Sequence, residues 1–413
     1  MGRLLFLLSC LSAFLHAQEP VNVVVRNLRL EGSLEARMPV ALRSSHPIAV
    51  SFDVVDPGRP EVHVRVWHCD RDWKRTESIF LNDPVRNVFR GVTSSVRAPI
   101  GVQGYTFTYK FQLPGLAGFE VFEHSGNHVV EIWNADETLL LGSARFFVAE
   151  TLAGGRLLVG NRRLPSASSP WNQVHRIVLS YVVPPPSPEE TAPVEPSLVR
   201  TMDVYRNREF HHRLRVDVDD DDPETFIDGF GTRSLKFIYD HAPAGAPYRS
   251  MDLHNAGRYP PGVTLRQLDG VDLSRWQVLA GRDHFGVPSY VSEGNTADFV
   301  PFRFELLRPP ELGEEDIRVV GEFNQWDPDD AWRLQRLAPE NRYALAAQIR
   351  RGVQDYQYVL DGTDWLALEG NDWSAVCVYT AFVYYHDPRL GGYDRILIAV
   401  QGRSPGGAEA TVN

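Results

Sequence analysis

Short runs that alternate apolar and polar residues recur along almost the whole chain, and they restrict the fold more than any other feature. "VNVVVRNLRL" (21–30), "EVHVRVWH" (61–68), "YTFTYKFQL" (105–113), "HVVEIWN" (128–134) and "LGSARFFVAE" (141–150) all carry a period of two. That is the pattern of a strand with one buried face. Asp56-Pro57-Gly58, Pro114-Gly115 and Ser125-Gly126-Asn127 stand between such runs as turn signals. Helical periodicity is nearly absent. "RLQRLAPENRYALAAQIR" is the one candidate, and Pro339 interrupts it. With 32 Gly and 29 Pro as punctuation, the expectation is an all-β chain of tandem β-sandwich domains.

The runs divide the chain. Residues 18–150 read as a first β-sandwich domain and 151–299 as a middle β domain. Residues 300–403 read as a C-terminal sandwich built on "FRFELL", "DIRVVGEF", "YALAAQIR", "DYQYVLDG" and "AFVYYHD", and 404–413 as a tail. In the middle domain, "PPPSPEETAPVEP" (184–196) resists helix and sheet alike and reads as an extended, exposed loop. It marks either a domain boundary or a long loop inside the domain, and the loop is the better reading, because "SLKFIYD" (234–240) needs sheet partners and "RIVLSYVV" (176–183) can supply one.

Residues 1–17, "MGRLLFLLSCLSAFLHA", place Arg3 before an apolar run from Leu4 to Leu15 and Ala17 before a polar stretch. This reads as a secretory signal peptide, too short to span a bilayer. An acylated Cys10 is the lesser alternative, because the apolar run continues past it. An exported protein with no membrane anchor of its own is expected. The formal charge of −11, with only three Lys (74, 110 and 236) among 42 basic residues and no basic cluster, argues against a nucleic-acid partner. Past the signal only Cys69 and Cys377 remain. One long-range disulfide is open to them, but a disulfide scaffold or a zinc site is not.

Chemistry-bearing residues crowd in "VWHCDRDW" (66–73), where His68, Cys69, Asp70 and Asp72 lie between Trp67 and Trp73. His68 and Cys69 point to opposite faces of a strand, a poor arrangement for a base and its nucleophile. Tryptophan packing with polar groups bonding a turn is the better account. "RVDVDDDDPETFIDG" (215–229) places Asp217, Asp219 and Asp221 at alternate positions, as a calcium loop would. Asp222 stands where such a loop needs Gly, however, and Asp228 where it needs Glu, so a solvated acidic turn is expected. Patterns for a nucleophile elbow, a zincin, a P-loop or a dinucleotide fold do not occur. Glu314-Glu315 and His211-His212 read as surface polarity.

Two local patterns carry resemblances. "VVGEFNQWDPDD" (319–330), followed by "YQYVLDGTDW" (356–365), resembles the glycogen-binding modules of branching enzymes and of the AMP-activated kinase β subunit. In that resemblance Trp326 and Trp365 are the sugar-stacking pair, and Gln357 replaces the family's sugar-contacting lysine. This implies an immunoglobulin-like, early-set sandwich and, as the alternative function, a periplasmic carbohydrate-binding protein.

The chain as a whole resembles the plug protein of the type IX secretion system. "EVHVRVWHCDRDWKRTES" is similar to that family's His-Cys-x-x-Asp-Trp segment, and "GNHVVEIWNADETLLLGSARFFVAE" to the close of its first domain. "EGNDWSAVCVYTAFVYYHDPRLGGYDRILIAV" (369–400) is similar to its ending, with Tyr384-Tyr385 and Tyr393-Asp394-Arg395 at matching places and His386-Asp387-Pro388 replacing an Arg-Pro step. Trp67, His68, Cys69, Asp70, Trp73, Tyr384, Tyr385, Tyr393, Asp394 and Arg395 are then a structural signature. The resemblance implies a non-enzymatic protein with no cofactor, catalytic residue or metal. Such a protein binds and closes the periplasmic opening of the outer-membrane β-barrel translocon, as a monomer within a hetero-complex.

Overall fold

The computed structural model describes residues 23–406, except 36–37, 44, 93, 166, 168–171, 187–192, 256, 261–262, 267–269, 276–297, 310–314, 374–375, 387 and 389–390. The expected signal peptide and most of the tail lie outside the described residues. The first third of the chain supplies β1 (Val24–Glu31), β2 (Val40–Leu42), β3 (Ile48–Val55), β4 (Val62–Cys69), β5 (Val88–Val92), β6 (Ser95–Arg97), β7 (Phe107–Leu113), β8 (Gly126–Asn134) and β9 (Leu140–Thr151). Next come β10 (Gly155–Arg163), β11 (Gln173–Val182), β12 (Val199–Arg206), β13 (Arg213–Asp217), β14 (Thr225–Asp228), β15 (Ser234–Pro243), β16 (Arg249–Asp252) and β17 (Leu265–Arg266). The last third adds β18 (Phe299–Leu307), β19 (Ile317–Gly321), β20 (Gln335–Leu337), β21 (Arg342–Arg350), β22 (Val353–Leu360), β23 (Val378–His386) and β24 (Asp394–Arg403). The fold is all-β, and the described residues contain no α-helix. The one helical candidate of the sequence is instead β20, a short 3-10 turn at Ala338–Glu340 and β21. Pro339 sits in that turn, and Asn341 reverses the chain at φ 49°.

The molecule is organised on one nine-stranded sheet, ordered β13-β12-β23-β24-β9-β8-β4-β5, with β2 alongside β9. Sheet β1-β3-β7-β6 covers one half of it, enclosing Leu30, Val50, Phe52, Val64, Tyr109, Ile132 and Phe146. Sheet β10-β11-β15-β14 covers the other half, enclosing Leu179, Val204, Phe237, Tyr379, Val383 and Tyr385. The halves join where β24 runs parallel to β9, pairing Ile396 with Ala149 and Ile398 with Thr151. On the opposite face of the joint, Phe147 stacks on Phe382 at 4.1 Å among Tyr205, Phe210 and Tyr384. A third sandwich, β16-β22-β19 against β17-β18-β21-β20, closes on Phe302, Phe304, Val319, Tyr356 and Tyr358.

"RIVLSYVV" does pair with "SLKFIYD", as β11 with β15. The Pro-rich run 184–196, of which 187–192 lie outside the described residues, connects β11 to β12 in the opposing sheet of the same sandwich. Strand membership departs from chain order in the last third. Residues 300–403 read as one sandwich, but β23 pairs with β12 and β24, in the long sheet. The third sandwich takes β16 and β17 instead, from the segment read as middle domain. The physical reason is legible in β23, where every residue but the last is buried. Such a strand needs cover on both faces and partners on both edges, and only the centre of the long sheet provides them.

The third sandwich sits at the end of the long sheet where β12 finishes. Arg208 reaches Glu322 at 3.6 Å, both buried, and the Gln325 amide reaches the Ser143 carbonyl at 3.4 Å. Against the first sandwich, buried Asp53 accepts from Arg350 at 2.9 Å and from the Thr108 hydroxyl at 2.6 Å. Its carboxyl nonetheless titrates above the usual range, because desolvation outweighs the nearby guanidinium. Gly104, at φ 93°, lets the chains touch: a Cβ there would lie 2.5 Å from Cβ of Phe299.

Candidate functional site

Of the residues expected to form a signature, His68, Asp70, Trp73, Tyr384, Tyr385, Tyr393, Asp394 and Arg395 lie where the two halves of the long sheet meet, at the end away from the third sandwich. His68, next to last in β4, turns its ring into this joint. Its Nδ1 is 2.9 Å from the Thr76 hydroxyl, and its Nε2 is 3.2 and 3.3 Å from the carbonyl oxygens of Ser125 and Asp394, the latter 326 positions away in sequence. Two carbonyls can only accept, so Nε2 carries the proton and Nδ1 accepts from Thr76. His128 and Tyr393 present ring edges at 5.2 and 5.5 Å. Burial pushes the imidazole pKa down to about 4, so the ring stays neutral as a hydrogen-bonding wedge.

Gly126 makes the wedge fit. At φ 134°, a Cβ there would stand 2.4 Å from His68 Nε2 and 2.6 Å from the Asp394 oxygen. Asp394 in turn accepts from the Arg71 N–H at 2.9 Å on one oxygen, with His386 Nδ1 3.0 Å from the other. Arg395 donates to Glu150 at 2.7 Å and lies 5.3 Å over the Tyr385 ring. The Tyr384 hydroxyl donates to Asn127 at 2.7 Å, and Asn127 donates to the Asp70 carbonyl at 3.1 Å. Tyr385 accepts from the Glu195 N–H, and Tyr393 lies 3.4 Å from His124.

Asp70 forms the turn after β4, its Oδ1 accepting from the N–H groups of Asp72 and Lys74 at 2.9 Å each. The turn brings Trp73, at φ 65°, onto Phe147 at 5.1 Å and under Arg145 at 4.8 Å. Trp67 stays within the first half, donating to Glu131 at 2.8 Å beneath the Arg75 guanidinium. Cys69 is buried, and desolvation pushes its thiol up to about 12, far from any thiolate chemistry. Cys69 and Cys377 are both buried and are not bonded to each other, so the disulfide left open by the sequence does not form.

Trp326 and Trp365 are not a sugar platform. They are 0 and 2% exposed in a joint with Tyr248, Val320 and Val359. Trp326 packs 4.3 Å from Tyr248 and donates to Glu322 at 3.0 Å, while His212 stacks on Trp365 at 5.6 Å. Gln357 is buried and donates to the Ala246 carbonyl. The third sandwich buries this face against the middle one, so no indole face is left for a pyranose. His211-His212, read as surface polarity, belongs to the same joint, with His211 3.1 Å from Arg145. In the acidic run, Asp217 accepts from the Thr201 hydroxyl and Asp219 from Arg200, both at 2.6 Å. No group of three or more His, Cys, Asp or Glu side chains is placed to hold a metal among the described residues.

Sequence reasoning missed Gly126, Asn127, His128 and Glu150 as members of the joint. The "GNH" turn before β8 was the available signal, since a glycine between turn and strand marks a close backbone approach.

Residues 25–150 match the family described as type 9 secretion system plug protein 1st domain. The first domain belongs to the type IX secretion plug family. The plug-type domain thus ends at β9, the strand onto which the rest of the long sheet is built. Among solved structures, the chain is similar to a hypothetical protein from Parabacteroides merdae, with TM-score 0.69 and 19% identity over 92% of this chain and 97% of that one. That likeness shows a shared fold along nearly the full length. The C-terminal domain of the AspA antigen I/II-family protein of Streptococcus pyogenes gives a TM-score of 0.15 at 7% identity, too low to bear on the fold. No curated protein matches the chain.

Proposed function

We propose that the protein is a periplasmic plug, which binds and closes the periplasmic opening of the outer-membrane β-barrel translocon of type IX secretion. The plug-family match of residues 25–150 carries this reading. The construction of the molecule suits it. A stopper must resist deformation, and the first and middle sandwiches share one continuous sheet, locked by the buried bonds of His68, Asp394, Arg395 and Tyr384. Those residues spend their polar atoms on partners within the joint, which supports a structural rather than a catalytic role. The protein reaches the periplasm through cleavage of residues 1–17 and meets the outer membrane through its partner.

The test is affinity purification of the tagged protein from its native envelope in detergent. A very large outer-membrane barrel should come with it at near-stoichiometric yield. Recovery of the protein alone, under conditions where barrel complexes survive, would overturn the reading.

A further inference from the structure

The third sandwich occupies one end of the long sheet, and loops form the other. At the loop end, the connection from β4 to β5 lifts Ile79, Phe80 and Val85 into solvent, 65, 86 and 76% exposed. The loop beneath them is pinned. Buried Asn82 accepts from the His68 N–H at 2.7 Å and donates to the carbonyls of His68 and Thr76 at 2.9 and 2.6 Å. Asn87 donates to the carbonyls of Val66 and Leu81 at 2.8 and 3.1 Å, and Asp83 accepts from the Val85 N–H at 2.7 Å. Phe80 is also tied by its backbone to His124, which meets Tyr393 on the hairpin between β23 and β24. The apolar tip is therefore held by both halves of the long sheet, and Val121, also exposed, lies in the loop that contains His124.

Exposed apolar side chains on a fixed frame make a preorganised anchor: docking buries area without ordering a loop, and aromatic anchors dominate interface energetics. We propose that Ile79, Phe80 and Val85 are the contact by which this chain seats on the periplasmic rim of the outer-membrane barrel. Phe80 and Ile79 enter an apolar recess of the barrel rim. This rests on the plug reading above. Two observations select that occupant. The tip lies inside residues 25–150, the part of the chain that matches a plug family. It also stands at the end of the sheet that the third sandwich leaves free.

The test repeats the native-envelope purification with Ile79→Asp/Phe80→Asp, with Phe80→Ala, and with Ile100→Asp. Ile100 is more exposed still but lies in the loop before β7, at the opposite end, where Gly104 meets Phe299 of the third sandwich. The double variant should lose barrel recovery by tenfold or more, and Phe80→Ala by a smaller factor. Both should melt within a few degrees of wild type, because these side chains support no core. Ile100→Asp should recover the barrel as wild type does. Wild-type recovery by the double variant, or equal loss in Ile100→Asp, would overturn the tip as the contact. Absence of the barrel from the wild-type preparation would instead overturn the plug reading, and the tip proposal with it.

Discussion

At the scale of single residues, buried neutral histidines make stability depend on pH. Burial, reinforced by Arg206, pushes His175 down to about 3, while in the unfolded chain it titrates near its ordinary 6.5. As pH falls below 6.5 the unfolded state takes this proton first. The histidine's effect is therefore absent above 6.5 and destabilises progressively as pH falls from there toward 3. Relative to His175→Phe, the wild type should lose about 2–3 kcal/mol by pH 4.5, read as diverging urea midpoints; parallel pH profiles would contradict this. Trp326, fully buried, gives a second residue-scale test. Trp326→Ala should cost about 3–5 kcal/mol, and titration of glucans into the wild type should leave its tryptophan fluorescence unchanged at millimolar sugar. A saturable change would revive a sugar site. The opposed faces of His68 and Cys69 were legible from alternation alone. The burial of Trp326 and Trp365 was not, because their cover comes from Tyr248 and His212, in another part of the chain.

At the scale of elements, the period of two located the strands well, because one face of each is buried against a core of its own sandwich. It also paired β11 with β15, where neither run makes sense alone. Sheet membership was harder to read. Nothing local in "VYTAFVYYH" says that its two faces serve two different cores, one with Tyr379 and Val383 and the other with Phe382 and Tyr384. The β4–β5 connection was invisible as a functional element for a similar reason. Its rigidity comes from Asn82, whose partners only the folded chain brings within reach. Asn82→Ala leaves the His68 N–H and carbonyl and the Thr76 carbonyl short of a partner, at a cost of about 1–3 kcal/mol. Hydrogen exchange should accelerate across 76–87 more than in β8 or β9. Unchanged protection there would contradict the pinned loop.

At the scale of the whole molecule, the joints decide behaviour. The long sheet draws strands from the beginning, middle and end of the chain, so a cut after β9 separates the first sandwich, but no cut in sequence order isolates the middle or the third one. A fragment of residues 300–403 carries β23 and β24 without their partner β12 and lacks β16 and β17. It should show no cooperative thermal transition, whereas residues 18–406 should unfold in one. A folded fragment would restore the division read from chain order. The resemblance to the plug family was legible in the first domain, which the family model matches over residues 25–150, and His68 of that domain helps close the sheet across 326 positions of sequence. The central claim, that this rigid body closes a barrel, is tested most directly by the conductance of the purified translocon in a planar bilayer. Added at stoichiometric concentration to the periplasmic face, the protein should silence a large open-pore current. A current that persists undiminished at saturating protein would contradict the account.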